Sequence, residues 1–190
     1  ETGALVVHLG MSGSLRVVRP DDEPRLHDHI DIEIKNGPWL RYNDPRRFGS
    51  FHFAPHPCSE HWLLKNLGPE PLSNDFSGDY LFATSRRRKL AVKNHIMDGK
   101  VVVGVGNIYA AESLFRAGIR PSTPARKVSR VAYQFLAAAI RDILANAINV
   151  GGTTLRDFVG SDGQPGYFKQ SLNVYGRQGE DCRICGSPLK

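Results

Sequence analysis

KVVVGVGNIYAAESLFRAGI, residues 100–119, packs an apolar run, a glycine-flanked turn and a helix into one short stretch. Val101–Val103 is the apolar run. Gly104 and Gly106 bracket Val105, and Asn107 is expected to cap the helix that follows, because its side-chain oxygen can accept from free N–H groups of the first turn. Ile108, Ala111, Leu114 and Phe115 share one face at helical spacing. Gly118 and then Pro121 form a stop signal. A glycine turn feeding a helix N-terminus presents N–H donors and the positive end of the helix dipole, where a phosphate would sit. The same pattern also suits a capped core helix behind a tight turn.

The chain has 190 residues, enough for one domain or two small ones. No apolar run is expected to reach the length that spans a bilayer, and the start, ETGALVV, lacks a signal-peptide layout. A cytoplasmic protein without a membrane partner is the expectation. Three cysteines, an odd number, argue against a disulfide framework. The net charge of +6 is uneven: residues 1–60 carry 7 Lys and Arg against 9 Asp and Glu, and the remainder carries 18 against 10. The basic part points to a polyanion, most simply nucleic acid.

Residues 4–54 read as short antiparallel strands at Ala4–Leu9, Ser14–Arg19, His29–Lys35, Trp39–Asn43 and Ser50–Phe53. The His29–Lys35 segment alternates strictly, and Asn36-Gly37 is a hairpin turn signal. Two loops interrupt them. HLGMSGS, residues 8–14, places Met11 among small residues, either as a core filler or as an exposed apolar side chain. NDPRRFG, residues 43–49, puts Arg46, Arg47 and Phe48 between a proline and a glycine. Guanidinium groups pair with phosphates or base edges and an apolar wedge can replace a stacked base. A solvated arginine pair beside a core phenylalanine is the other reading.

Pro55 and Pro57 mark a boundary, and helical periods follow. Ser59–Leu67, Asp79–Lys89 and Ala91–Met97 are expected helices. The second ends in Arg86-Arg87-Arg88-Lys89, more cations than a helix C-terminus needs. Ser129 should cap a long helix, Arg130–Asn149, whose Phe135, Leu136, Ala139, Ile143, Leu144 and Ala147 form a core face. Residues 153–168, TTLRDFVGSDGQPGYF, are too long for a mere connection. The end, Cys182-Arg183-Ile184-Cys185-Gly186, has the spacing of a zinc knuckle, of a redox pair or of two ordinary cysteines.

GVGNIYAAESLF closely resembles the helix–two-turns–helix motif of the formamidopyrimidine-DNA glycosylase and endonuclease-VIII-like family of bacterial base-excision repair enzymes. HLGMSGSLR and DPRRFG resemble that family's wedge loops, and SDGQPGYF resembles its oxidised-purine branch. The resemblance implies an α+β fold. Residues 1–57 would be part of an antiparallel β-sandwich. Residues 58–168 would be a helix–two-turns–helix domain with a lesion-capping loop at 153–168, and residues 169–190 a partial zinc-finger hairpin. It implies that Met11, Arg46 and Phe48 enter the duplex as a wedge, with Arg46 facing the widowed base. His27, Arg46, Arg88, Asn107 and Tyr175 would contact DNA, with Lys93 close to Arg88. Ser161, Asp162, Gly163, Gln164, Pro165, Gly166 and Tyr167 would cover the everted purine. Cys182 and Cys185 would be two of four zinc ligands.

The implied partner is damaged double-stranded DNA, bound by a monomer. The implied activity is removal of formamidopyrimidine and 8-oxoguanine, followed by cutting of the abasic strand. Enzymes of this family begin Met-Pro-Glu-Leu-Pro-Glu and use the N-terminal proline amine to form a Schiff base with the sugar. This chain opens at Glu1-Thr2-Gly3. It is therefore expected to be an internal fragment that carries recognition residues without the nucleophile, and to be inactive alone. A non-catalytic DNA-binding module and the oxidised-pyrimidine branch are the alternatives.

Overall fold

The computed structural model describes residues 2–150 and 172–190. They form two compact units, one running to Leu64 and the other comprising Lys65–Asn149 with residues 172–190. The architecture is α+β.

The first unit holds two antiparallel sheets. Strand β1 (Gly3–His8) pairs with β5 (Ser50–Pro55), Gly3 opposite Pro55 and His8 opposite Ser50. Strands β2 (Ser14–Val18), β3 (Asp28–Glu33) and β4 (Trp39–Asn43) form the other sheet in the order β2-β4-β3. The Asn-Gly turn closes the β3–β4 hairpin: Asn36 takes a left-handed φ of 58° and the Gly37 N–H donates to the Ile34 carbonyl at 2.9 Å. Arg16 and Arg41 lie opposite each other on β2 and β4, a repulsive cross-strand pair. Carboxylates offset it: Arg16 pairs with Asp28 at 2.6 Å and buried Arg41 with Asp31 at 2.7 Å. The apolar face expected on β3 is not enclosed among the described residues; Ile30 and Ile34 are exposed, as are Leu5, Val17 and Phe53.

The second unit is helical: α1 (Gly78–Ser85), α2 (Val92–Ile96), α3 (Asn107–Arg116) and α4 (Arg130–Asn149). Phe76, Leu81, Ile96, Leu114, Tyr133, Leu136 and Ile140 are among the side chains of its core. Ser77 caps α1 and Ser129 caps α4 through their hydroxyls. The Ile119 N–H returns to the Leu114 carbonyl and that of Gly118 to Phe115, satisfying the last carbonyls of α3.

Several expectations change here. Residues 59–67 do not make an α-helix. Cys58–Glu60 is a 3-10 turn without a side-chain cap, and His61 is already extended. Helix α1 stops at Ser85, because the Arg86 guanidinium folds back onto the carbonyls of Phe82 and Val128 and stacks on the Phe82 ring. The four-cation run thus lies beyond the helix. The buried face of α3 is rotated to Ala110, Ser113 and Leu114, together with Glu112; Ile108, Ala111 and Phe115 are half-buried. On α4, Phe135 is exposed, and Tyr133, Ala137 and Ile140 complete the core face instead. By length and composition α4 is also apolar enough to cross a bilayer, contrary to expectation. Its buried stripe is packed in the core, and its Arg141 donates to the carbonyls of Ser73 and Phe76.

Candidate nucleic-acid interface

In the sheet unit, three loops converge on Asp44. Its side chain stands at the end of β4 and the residue is 1% exposed. Oδ1 accepts from the Ser12 hydroxyl at 2.7 Å and from the Arg46 N–H at 3.3 Å. Oδ2 accepts from the Tyr42 hydroxyl and the Gly49 N–H, both at 2.9 Å. The Asp44 N–H donates to the carbonyl of His27, which sits at φ 71°, and the Asp44 carbonyl lies 3.0 Å from His29 Nε2. Burial opposes ionisation of Asp44, but the donors from Gly49, Ser12, Tyr42 and Arg46 hold its carboxyl well below the usual carboxylate range. Burial, and then the adjacent carboxylate, push the Tyr42 hydroxyl up to about 12.

Met11, Arg46 and Phe48, the residues expected to form a wedge, stand above this network. Met11 is 72% and Phe48 58% exposed. Arg46 Nη1 lies 3.5 Å from Met11 Sδ, and its guanidinium carbon lies 4.8 Å from the centre of the Phe48 ring. Met11 does not fill a core gap, and Phe48 is not a core residue. The loops approach so closely that a Cβ on Gly49 would lie 1.7 Å from the Tyr42 hydroxyl.

In the helical unit, the expected cap moves by one residue. Gly106 is the N-cap of α3, without a side-chain bond, and Asn107 is the first helical residue. As at any helix start, the leading N–H groups of α3 have no intrahelical acceptors. Gly104, at φ 75°, shapes the turn before it. By contrast, the first N–H groups of α2 donate to the carbonyls of Thr123 and Pro121.

Arg88 is exposed and held by its backbone. Its N–H donates to Ser85 and its carbonyl accepts from Arg126, which brings the exposed Arg126 and Lys127 alongside. Tyr175 is placed by Glu112, which is 3% exposed. Glu112 Oε1 accepts the N–H groups of Val174 and Tyr175 at 2.8 and 2.9 Å, and Oε2 accepts that of Asn173 at 2.9 Å. Tyr175 and Lys93 both line a cavity of about 620 Å³, whose wall includes Leu114, Phe115 and Ile119. Sequence reasoning assigned no role to Asp44 or Glu112. The only signal was a carboxylate embedded in each quoted motif.

Cys182 is buried and Cys185 exposed, on a hairpin closed by the Asp181–Pro188 bridge. The Ile184 N–H points to Cys182 Sγ at 3.5 Å, and the Ser187 N–H and hydroxyl push the Cys185 thiol down. Two thiolates at this spacing could supply half of a tetrahedral zinc donor set. Among the described residues no group of three or more His, Cys, Asp or Glu could hold a metal ion. Residues 161–167, expected to cover an everted base, lie outside the described residues.

A sheet unit with an exposed cation–thioether–aromatic cluster, and a helical unit with a glycine turn feeding α3, fit the helix–two-turns–helix class that the sequence resembles. The family model for the formamidopyrimidine-DNA glycosylase N-terminal domain matches residues 1–51, and that for the formamidopyrimidine-DNA glycosylase H2TH domain matches residues 67–159. The chain is 61% identical over 188 residues to formamidopyrimidine-DNA glycosylase of Xanthomonas campestris pv. campestris strain B100, covering 99% of this chain and 69% of that protein. Among solved structures, the MutM (Fpg) protein of Thermus thermophilus matches with a TM-score of 0.86 at 38% identity, covering 97% of this chain and 68% of that one. A Lactococcus lactis Fpg mutant in complex with Fapy-dG containing DNA matches with a TM-score of 0.86 at 30% identity, over the same shares of the two chains. The chain belongs to the formamidopyrimidine-DNA glycosylase family.

Proposed function

We propose that this chain recognises oxidised purines in duplex DNA for base excision. The sheet unit supplies the wedge that fills the gap in the base stack, and the helical unit supplies the grip on the phosphates. The observation that carries the reading is the exposed Met11–Arg46–Phe48 cluster locked from beneath by Asp44. An apolar ring and a thioether held out in water by a polar network have no use in a core, but they suit intercalation between base steps. Eversion of the damaged nucleotide costs unstacking energy, which such a side-chain wedge offsets. Arg46 then offers donors to the base left without a partner. His27, Arg88, Asn107 and Tyr175 take phosphates, Asn107 from the N-terminus of α3.

Family membership and the related Lactococcus lactis complex with Fapy-dG containing DNA support the lesion class. The chemistry that follows recognition is cleavage of the glycosidic bond and then of the abasic strand. The residues assigned here recognise and position, and none of them is the amine nucleophile. Zinc, when bound, would fix the 182–185 knuckle through the two thiolates, with further donors completing the site.

Fluorescence anisotropy with an 8-oxoguanine duplex and its undamaged counterpart, across a salt series, tests the reading. Tighter binding of the lesion duplex is expected, with affinity falling steeply as salt rises. Equal affinity for both duplexes would make the chain a non-catalytic DNA-binding module.

A further inference from the structure

We infer that Asp44 is a positioning residue for lesion reading: its carboxylate sets Met11, Arg46 and Phe48 into one preformed wedge before DNA arrives. The inference rests on the function proposed above. A carboxylate offers about four acceptor directions. All four are taken here, and each bond goes to a place that matters for the wedge. Ser12 adjoins Met11 in the first loop. The N–H groups of Arg46 and Gly49 bracket Arg46 to Phe48 in the second. Tyr42, two residues earlier in the chain, anchors the carboxylate to β4.

The exposed side chains have little packing to hold them. At 72% and 58% exposure, Met11 and Phe48 take their directions from the backbone beneath, and that backbone takes its geometry from Asp44. The loops also leave no slack. A Cβ on Gly10 would lie 2.9 Å from the Phe48 carbonyl carbon, and one on Gly13 would lie 2.1 Å from the Leu9 oxygen. A wedge ordered in advance does not lose its conformational entropy on binding. Asp44 itself is sealed from solvent and would not touch DNA, so it acts through its neighbours.

The test uses this chain with a duplex carrying a stable abasic-site analogue, 2-aminopurine beside it, and each base in turn opposite. The 2-aminopurine signal reports wedge insertion, and the opposite-base series reports Arg46. Asp44→Asn should cut the fluorescence response and the opposite-base preference about tenfold, while affinity for undamaged duplex moves less than twofold. Ser12→Ala and Tyr42→Phe, each removing one bond, should give smaller shifts in the same direction. Wild-type insertion and preference in Asp44→Asn, under conditions where Met11→Ala lowers the first and Arg46→Ala alters the second, would overturn the inference. If Asp44→Asn fails to fold, unchanged preference in both single-bond variants would overturn it equally. A wild-type chain that does not prefer the abasic duplex at all would instead defeat the proposed function.

Discussion

Asp44 and Glu112 solve one problem in two settings. Each is a buried carboxylate that gathers backbone N–H groups and so fixes residues proposed to meet DNA: Met11, Arg46 and Phe48 in the sheet unit, Tyr175 in the helical unit. Their surroundings differ. Glu112 sits on α3 beside Ser113 and Leu114, on a helix packed into a continuous apolar core. In the sheet unit the buried hydrophobic side chains, among the described residues, are Tyr42 and Ala54. There the polar network itself orders the loops, whereas in the helical unit the clasp is added to a scaffold that already holds.

The largest effect should follow from removing the first carboxylate. Asp44→Ala leaves two hydroxyls and two N–H groups without their acceptor and should cost about 3 kcal/mol or more. Glu112→Gln keeps the shape and one acceptor oxygen, and should cost about 2 kcal/mol. Urea denaturation measures both. Amide exchange sharpens the comparison: Glu112→Gln should speed exchange at residues 173–175 and leave the core amides of α4 protected. Equal losses, with global loosening in both variants, would erase the distinction between the units.

Acid should separate the units next. Asp44 titrates below its unfolded value of about 3.9. Its contribution is complete above that pH and is lost as pH falls through the folded value. In the helical unit burial lowers the His95 pKa from 6.5, the charges of Arg88 and Arg86 adding to the effect against a bond to the Leu81 carbonyl. The unfolded chain binds that proton first, so stability is complete above about pH 6.5 and declines below it. Melting curves against pH should show His95→Gln flattening the slope from about pH 6.5 downward, and Asp44→Asn flattening it below about pH 4. An Asp44→Asn variant that removes the upper slope would mean that the assignment of pH windows to units is wrong.

Much of this was legible in the chain. Local signals settled the strand positions, the Asn36-Gly37 hairpin and the Ser129 cap, because each depends on a few adjacent residues. Asp44 and Glu112 were not legible as organisers. Their partners lie 32 residues away at Ser12, and 61 to 63 residues away at Asn173 to Tyr175. Periodicity says which face a residue occupies, not which loop returns to it. The expected face of α4 held at Leu136, Ala139, Ile143 and Ala147 and failed at Phe135, which is exposed, for a related reason: packing against α1 and α3 turns Tyr133 and Ile140 inward instead. Asn107 was read as the cap because its side chain suits that role, but Gly106 holds the extended cap conformation.

Charge on the helical unit should have a smaller and more uniform effect. If Arg88 takes a phosphate as proposed, Arg88→Ala should lower the salt slope by about 1, weakening all duplexes alike. Arg46→Ala, in the sheet unit, should instead change which opposite base is preferred. Anisotropy titrations on matched duplexes distinguish the two. A change of base preference in Arg88→Ala would show that grip and readout are not divided between the units.

The smallest effect on the fold should come from Gly106→Ala, and it is the most informative about α3. Gly106 lies at φ −81° and ψ −177°, a conformation open to any residue, and an added Cβ would meet nothing within 4 Å. The substitution should therefore change stability by less than about 0.5 kcal/mol. Gly104→Ala makes the control. Its Cβ would also meet nothing, but φ 75° imposes a backbone cost of about 1 kcal/mol. If a phosphate sits on the leading N–H groups of α3 and the added methyl crowds it, DNA affinity should fall in Gly106→Ala while the melting temperature holds. Unchanged affinity in Gly106→Ala would remove the N-terminus of α3 from the grip and leave Asn107 with no more than its place in the helix.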